Sequence, residues 1–540
     1  MAKQKYGVVY TPSTLAEFVA TLLKRITGSK TVNTVLDPAS GECSLLSAAK
    51  NVFGNRCQYI GIDVDQDAVN RTKDLFTIIY NDAILPKNVK KKTDEYWKSK
   101  LPKVNAIIAN PPWSSEKIYE KTELEDAGFS LIVGQYDSYV LFIELAYNIL
   151  CEYGTMAFII PDSLFDAQNE RLRKFLVEKT QIKVIARLGE KIFDDVNRAT
   201  TVIICNKDVP SDDTETICFR LSTESRKEYL LGKGSLISYF EQFSHKVKQS
   251  RFAKNGSYNF DIDTRSNEEE LINKITSEVI DWNNIFKFGR GVEISKAGKV
   301  IYCPLCGCAQ GYKKKQLDLG RKTCTRCGKE ISVSEANVKS VITSVSTQEN
   351  VLMYVGESIH RYGLSGGYYI NPNIDGIKYK NADLYTPPKL LVRKTGLGIC
   401  GAIDYTGSMT SQTVYILKYA DEHNSTPLEY YLALLNSRIV YYYYLKIYGE
   451  NEWKSHPYFT KQIIYTLPIR PYTANNLDQE IVGLATSLMQ KYDYQVDLQL
   501  ETLIVKKYDL TDEDVKLISA EMNRLPDLGA VNNMKVKAQV

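Results

Sequence analysis

Short apolar runs alternate with amphipathic stretches along the first part of this chain. Val35-Leu36, Gln58 to Ile62, Phe76 to Tyr80, Val104 to Ala109 and Thr201 to Cys205 are such runs, and Ser44 to Ala49 opens a helix-like stretch after a turn of small residues. Brief apolar runs bounded by turns read as buried strands, and strands alternating with helices predict a parallel sheet. The pattern continues to about Arg220 and predicts an α/β domain over 1–225. Leu230 to Ser277 is mixed helical and polar, with Asn255 to Ser266 reading as a linker, so 226–283 is expected to connect two domains. From 284 to 473 the texture changes to an α+β one, with a β-rich stretch from Lys389 through Leu417. The Tyr441 to Tyr444 run is expected to pack a helix into a core. Amphipathic helices near Asp478 to Lys491 and Gln499 to Lys507 are expected within 474–540, with fraying from Met522.

This arrangement puts one polar residue at each of four successive strand ends: Asp37, Asp63, Asp82 and Asn110. Ligands of open α/β sheets bind at those carboxyl ends, and a carboxylate some 26 positions after the first turn can accept bonds from both ribose hydroxyls. Acidic helix caps would explain any one of these residues but not the series. The last strand runs into Asn110-Pro111-Pro112-Trp113. A planar exocyclic amine is a poor nucleophile until its protons are drawn out of the ring plane. The Asn110 side-chain oxygen and the Pro111 carbonyl can each accept one proton, the prolines fix the backbone, and Trp113 offers a face on which a base can stack. The bland alternative is that Pro-Pro ends the strand and the Trp packs in the core.

With those residues in place, the order of elements resembles the gamma class of amino-methyltransferases, which modify DNA adenine with S-adenosylmethionine and are typified by the Taq and Eco57-type modification enzymes. Tyr10-Thr11-Pro12 is similar to the family's segment over the methionine end of the cofactor, Gly154 to Pro161 to its next strand, and Gly189-Glu190-Lys191-Ile192-Phe193 to the segment whose Phe stacks on the flipped base. The resemblance implies a Rossmann-like class I methyltransferase sheet with a C-terminal target-recognition domain. It implies cofactor contacts at Tyr10, Thr11, Pro12, Asp37, Ala39, Gly41, Asp63, Asp82 and Asn110, and a catalytic set of Asn110, Pro111, Pro112, Trp113 and Phe193. Phe193 would sandwich adenine against Trp113. One departure is Cys43, where the family loop has glycine; a side chain there is expected to narrow the loop where the cofactor passes. Gly289 to Ile294, Lys389 to Gly396, a helix at Leu432 to Arg438 with Asn436-Ser437-Arg438 at its polar edge, and Lys461 to Ile469 resemble the family's recognition domain. Arg393, Lys394, Lys446, Trp453 and Lys454 are the candidate DNA contacts, since cations position phosphates and base edges need Arg, Asn or Gln.

Net charge is only +4 with pI about 8.2, so any nucleic-acid surface must be local. Lys87, Lys90, Lys91 and Lys92 form one cluster and Lys313, Lys314, Lys315, Arg321 and Lys322 another; either can be simply a solvated face. No apolar run is long enough to span a membrane and the start lacks a signal-peptide pattern, so a cytoplasmic protein is expected. Of 11 cysteines, five lie between Cys303 and Cys327. Cys303-Pro-Leu-Cys306-Gly and Cys324-Thr-Arg-Cys327-Gly have the spacing of a zinc ribbon. Four thiolates leave no open position, so Zn2+ would be structural; a redox dithiol is the competing reading.

The expected partner is double-stranded DNA, and a separate restriction endonuclease or defence subunits can accompany it. Nine residues precede Tyr10, so no nuclease domain is expected there, and catalysis with target recognition on one chain points to a monomer. The alternatives are a methyltransferase-like DNA-recognition subunit with weak or no catalysis, and an RNA or protein amino-methyltransferase.

Overall fold

The computed structural model describes residues 11–536 other than 88, 90, 91, 114–117, 135, 194–197, 295–297 and 450–458. The chain divides into two compact units, residues 1–267 with 446–454 and residues 268–445 with 455–540.

Nine strands build the first unit: β1 (Thr34–Asp37), β2 (Gln58–Asp63), β3 (Thr77–Tyr80), β4 (Val104–Ala109), β5 (Leu150–Pro161), β6 (Gln181–Gly189), β7 (Thr200–Asn206), β8 (Glu215–Arg220) and β9 (His245–Lys248). They form one sheet in the order β3-β2-β1-β4-β5-β7-β6-β8-β9. The first five are parallel, and β7 inserts antiparallel between β5 and β6. The order reverses between β1 and β4, which leaves a crevice beyond their carboxyl ends.

Helices cover both faces, which is why the inner strands read as unbroken apolar runs. Ala106 and Ile108 of β4 pack with Leu15 and Leu23 of α1 (Ser13–Thr27) on one side. Ile107 and Ala109 meet Tyr139 and Ile143 of the helix Tyr139–Ile149 on the other. The β1 turn leads into a second helix, α2 (Ser44–Phe53), and lies so close over β2 that a Cβ on Gly61 would stand 2.6 Å from the Ser40 hydroxyl. Only glycine fits there.

The sheet outlasts the boundary expected at 225, because β9 pairs with β8. Nor is Asn255 to Ser266 a linker. Phe260 and Ile262 are buried, and Arg251 donates to the carbonyls of Asp261 (3.0 Å) and Thr264 (2.8 Å).

In the second unit, Phe286–Arg290, Val414–Tyr419, Lys389–Arg393 and Gly401–Asp404 pair antiparallel in that order. A smaller four-stranded sheet joins Ile342–Thr343, Tyr368–Ile370, Val351–Tyr354 and Met409–Thr410. Helices Asn476–Gln490, Tyr494–Lys507 and Asp512–Asn523 follow. Asn436-Ser437-Arg438, expected at a polar edge, is buried: Arg438 pairs with Asp497 (3.0 Å) and Glu501 (3.3 Å), and Arg361 pairs with the same Asp497 at 3.0 Å. Tyr441, Tyr442 and Tyr444 are buried, as the helix-in-core reading requires. The chain does not fray at Met522, since Arg438 reaches the carbonyl of Met534 at 2.9 Å. No helix among the described residues is long and apolar enough to cross a membrane.

Candidate active site at the carboxyl ends of the sheet

A cleft of about 990 Å³, part of it open to solvent, lies over the carboxyl ends of β1 to β4. Thr11, Asp37, Ala39, Gly41, Asp63, Asp82, Asn110 and Pro112 all line it. Tyr10 lies outside the described residues, and Pro12 is not among the lining residues.

Backbone N–H groups shape the carboxylates. Asp37 accepts from Ala39 (3.0 Å) and Asp63 from Gly41 (2.6 Å) and Asp65 (2.8 Å), which ties the β1 turn to the end of β2. Asp82 accepts from Ile84 (2.8 Å) and Leu85 (3.2 Å), and the Tyr119 hydroxyl donates to both of its oxygens at 3.0 and 3.1 Å. Burial pushes the Asp37 carboxyl up to about 8 against the Ala39 bond, with the nearby Asp63 charge adding to the rise. Burial likewise raises Asp63 and Asp82 above the usual carboxylate range. Three buried acceptors at one cleft suit a ligand rich in N–H and O–H donors that carries positive charge.

At the end of β4, Asn110 donates through Nδ2 to the Thr11 hydroxyl at 3.0 Å, which fixes the amide plane. The turn that follows is clamped by two donors absent from the sequence reading. Ser138 donates to the Pro112 carbonyl at 2.5 Å, and Arg198 donates to the Trp113 carbonyl at 3.0 Å. Arg198 also pairs with the buried Asp137 at 2.6 Å, to which Ser163 donates at 2.7 Å. Among the described residues no donor reaches the Pro111 carbonyl. Ser138, Tyr119 and Phe142 line the cleft as well. The Asp137-Ser138 pair just ahead of an apolar helix was a visible signal; Arg198, a lone cation before a strand, gave none.

Trp113 and Phe193 do meet, but not as parallel walls. Their centroids are 5.2 Å apart with planes at 85°, and both rings are buried. A base between two rings needs parallel faces about 7 Å apart, two contact distances of ~3.5 Å. The expected sandwich is therefore closed on itself in this conformation.

Cys43 corrects a second expectation. Its φ of 61° is left-handed, the conformation that favours glycine, and this turns the thiol into the apolar core beside Leu46 and Ala49. Its neighbours Gly41, Glu42 and Ser44 line the cleft and Cys43 does not. The side chain does not narrow the ligand path.

In the second unit, the sulfur atoms of Cys303, Cys306, Cys324 and Cys327 lie within 4.8 Å of one another, with the 303–327 and 306–324 pairs at 3.7 Å. Tetrahedral zinc with bonds of about 2.3 Å requires sulfur separations of roughly 3.8 Å. The donor set fits that ion. Gln310 donates to Cys324 at 3.2 Å, and N–H groups of Cys327 and Arg326 with this Gln310 bond hold that thiol down to about 5. Cys308 stands outside the set.

The candidate DNA contacts scatter. Arg393 donates to the Leu397 carbonyl, and Lys394 lies 5.9 Å from the Tyr415 ring, where burial and the Arg290 charge lower its pKa. Lys446 is only 6 % exposed. Burial would raise the nearby Asp263, but Arg220, Arg187 and Lys446 outweigh it and hold that carboxyl low, so Lys446 serves an internal charge cluster. Trp453, Lys454, Lys90 and Lys91 lie outside the described residues.

A family model described as N-6 DNA Methylase matches residues 1–278, and one described as TaqI-like C-terminal specificity domain matches residues 351–469. The chain is similar to the type II restriction enzyme and methyltransferase RM.Eco57I of Escherichia coli, 29 % identical over 111 residues, 19 % of this chain and 11 % of that protein. It is also similar to the type I restriction enzyme MjaVII methylase subunit of Methanocaldococcus jannaschii, 26 % identical over 326 residues, 56 % of this chain and 48 % of the relative. The chain spans about half or less of the length of these curated relatives. Among solved structures, the type IIG restriction endonuclease BpuSI aligns over 94 % of this chain and 67 % of its own at 15 % identity, with a TM-score of 0.44.

Proposed function

We propose, from the premise that this chain belongs to the N-6 DNA methylase family, that it transfers the methyl group of S-adenosylmethionine to the N6 amino group of adenine in double-stranded DNA. The observation that carries the reading is the turn after β4. Asn110 opens into a cleft with three buried carboxylates, and the Pro111 carbonyl stands beside two neighbours already clamped by Ser138 and Arg198.

Asp37, Asp63 and Asp82 fit the cofactor's donors: a cationic methionine end, two ribose hydroxyls and an adenine amine. When bound, S-adenosylmethionine supplies a methyl group on a cationic sulfur. Asn110 Oδ1 and the Pro111 carbonyl accept the two amino protons of the target adenine and so make its nitrogen nucleophilic, while the clamped turn keeps that nitrogen aimed at the methyl. Trp113 and Phe193 must part to admit the base. Their edge-to-face contact is worth roughly 0.5–1.5 kcal/mol and base stacking roughly 1–3 kcal/mol, so the exchange is favourable or neutral.

Residues 351–469 select the target site, and Cys303, Cys306, Cys324 and Cys327 hold a structural Zn2+. The protein acts as the modification component of a restriction-modification system, alongside a separate endonuclease. Asn110→Ala should abolish methyl transfer and leave cofactor affinity within about threefold, read by calorimetry; a variant that still transfers would remove Asn110 from the mechanism.

A further inference from the structure

Residues 299–340 lie between the two segments matched by the family models, which end at 278 and resume at 351. This stretch carries nine Lys and Arg against three Asp and Glu, a net of +6 where the whole chain has +4. A zinc tetrathiolate contributes −2, so the metallated ribbon still has a net of +4, as much as the entire chain without metal. The rest of the protein is close to neutral. The charge is also available: Lys313, Lys314, Lys315 and Lys329 are exposed, and among the described residues no carboxylate pairs with them. The two cations that are paired do structural work. Arg321 faces Glu330 across its hairpin at 3.6 Å, and Arg326 reaches Asp375 at 2.6 Å. The Asp375 carbonyl accepts from the Ala309 N–H at 2.8 Å, and a Cβ on Gly376 would stand 2.2 Å from the Ala309 carbonyl. The ribbon is thus fastened to the loop at 371–376 and presents its lysines from a fixed base.

We propose that this ribbon is a DNA-backbone grip: its lysines bind duplex phosphates without reading sequence, and add electrostatic affinity to a specificity unit that otherwise lacks a strong positive field. The inference rests on the reading of DNA as substrate. Phosphate contacts of this kind are position-setting and salt-dependent, with a loss of about 0.9 in the slope of log K against log salt for each contact removed.

The test compares the full chain with the triple variant Lys313→Glu, Lys314→Glu, Lys315→Glu and with the milder Lys→Gln triple, each checked for one zinc per chain. Binding to a 30-base-pair duplex is measured across a salt series, together with KM and kcat for methyl transfer. The expected result is a salt slope lower by about two to three, a KM for DNA raised about tenfold, and an unchanged kcat. An unchanged slope and KM in zinc-loaded variants, beside a wild type that methylates DNA, would overturn the grip alone. A wild type that transfers no methyl but binds duplex with a lysine-dependent slope would leave the grip standing and remove the substrate reading. A wild type that does neither would sink both.

Discussion

Replacing Arg198 with Ala should slow methyl transfer about a hundredfold and leave S-adenosylmethionine affinity unchanged. Arg198 donates to the Trp113 carbonyl at 3.0 Å and to Asp137 at 2.6 Å, while Asp137 itself is 3 % exposed. Hydrogen bonds to charged groups contribute about 1.5–3 kcal/mol each. The Arg198 side chain is 36 % exposed, so solvent screening argues for the lower end and a total stability loss of about 2 kcal/mol. Asp137 keeps its bond from Ser163, and Ser138 keeps the Pro112 carbonyl, so the fold and half of the clamp survive. What is lost is the fixed position of Trp113 and, through it, of the Pro111 carbonyl, where a shift of about 1 Å can cost 10²-fold in rate. Single-turnover transfer reads the rate, calorimetry the cofactor affinity and thermal melting the stability. Arg198→Lys should recover part of the rate, because it restores the charge beside Asp137 without the forked geometry. A folded Arg198→Ala protein with kcat within threefold of wild type, or one whose cofactor affinity falls in step with the rate, would refute the positioning argument.

The cleft carboxylates set a pH dependence: folding raises Asp37 from 3.8 to about 8 and raises Asp63 and Asp82, so the folded chain binds their protons more tightly than the unfolded one. Their stabilisation is full below pH ~4 and is lost as pH rises through the folded values, so the melting temperature of the ligand-free protein should fall between pH 5 and 8 less steeply in Asp37→Asn than in wild type; equal slopes would contradict the burial argument. Cys43→Gly trades about 1 kcal/mol of left-handed backbone cost against a similar loss of core packing, so stability should change by less than about 1 kcal/mol and cofactor affinity not at all. Tenfold tighter cofactor binding in that variant would show that the thiol does obstruct the loop. Cys327→Ser should lower bound zinc below one per chain and expose 299–340 to protease while cofactor binding stays intact; full zinc content would exclude this cysteine as a ligand.

The ends of β1 to β4 were legible because strands covered on both faces read as apolar runs that stop at a polar residue, and Asp37, Asp63, Asp82 and Asn110 are those residues. The far half of the sheet was not. The antiparallel insertion of β7 and the pairing of β9 with β8 are long-range choices with no local signature, which is why the boundary at 225 fell inside the unit. The Ser138, Arg198 and Tyr119 contacts were invisible for the same reason: each joins residues 26, 85 and 37 positions apart, respectively. Cys43 misled because a motif gives residue identity and not φ, and the left-handed backbone sends its thiol into the core. Trp113 and Phe193 were correctly brought together, but their relative tilt depends on what lies between them.

The most direct test is transfer of labelled methyl from S-adenosylmethionine to unmethylated genomic DNA, followed by nucleoside analysis. The account predicts label in 6-methyladenine with the wild-type protein and none with Asn110→Ala. A folded, cofactor-binding wild type that leaves adenine unlabelled, or an Asn110→Ala variant that labels it, would contradict it.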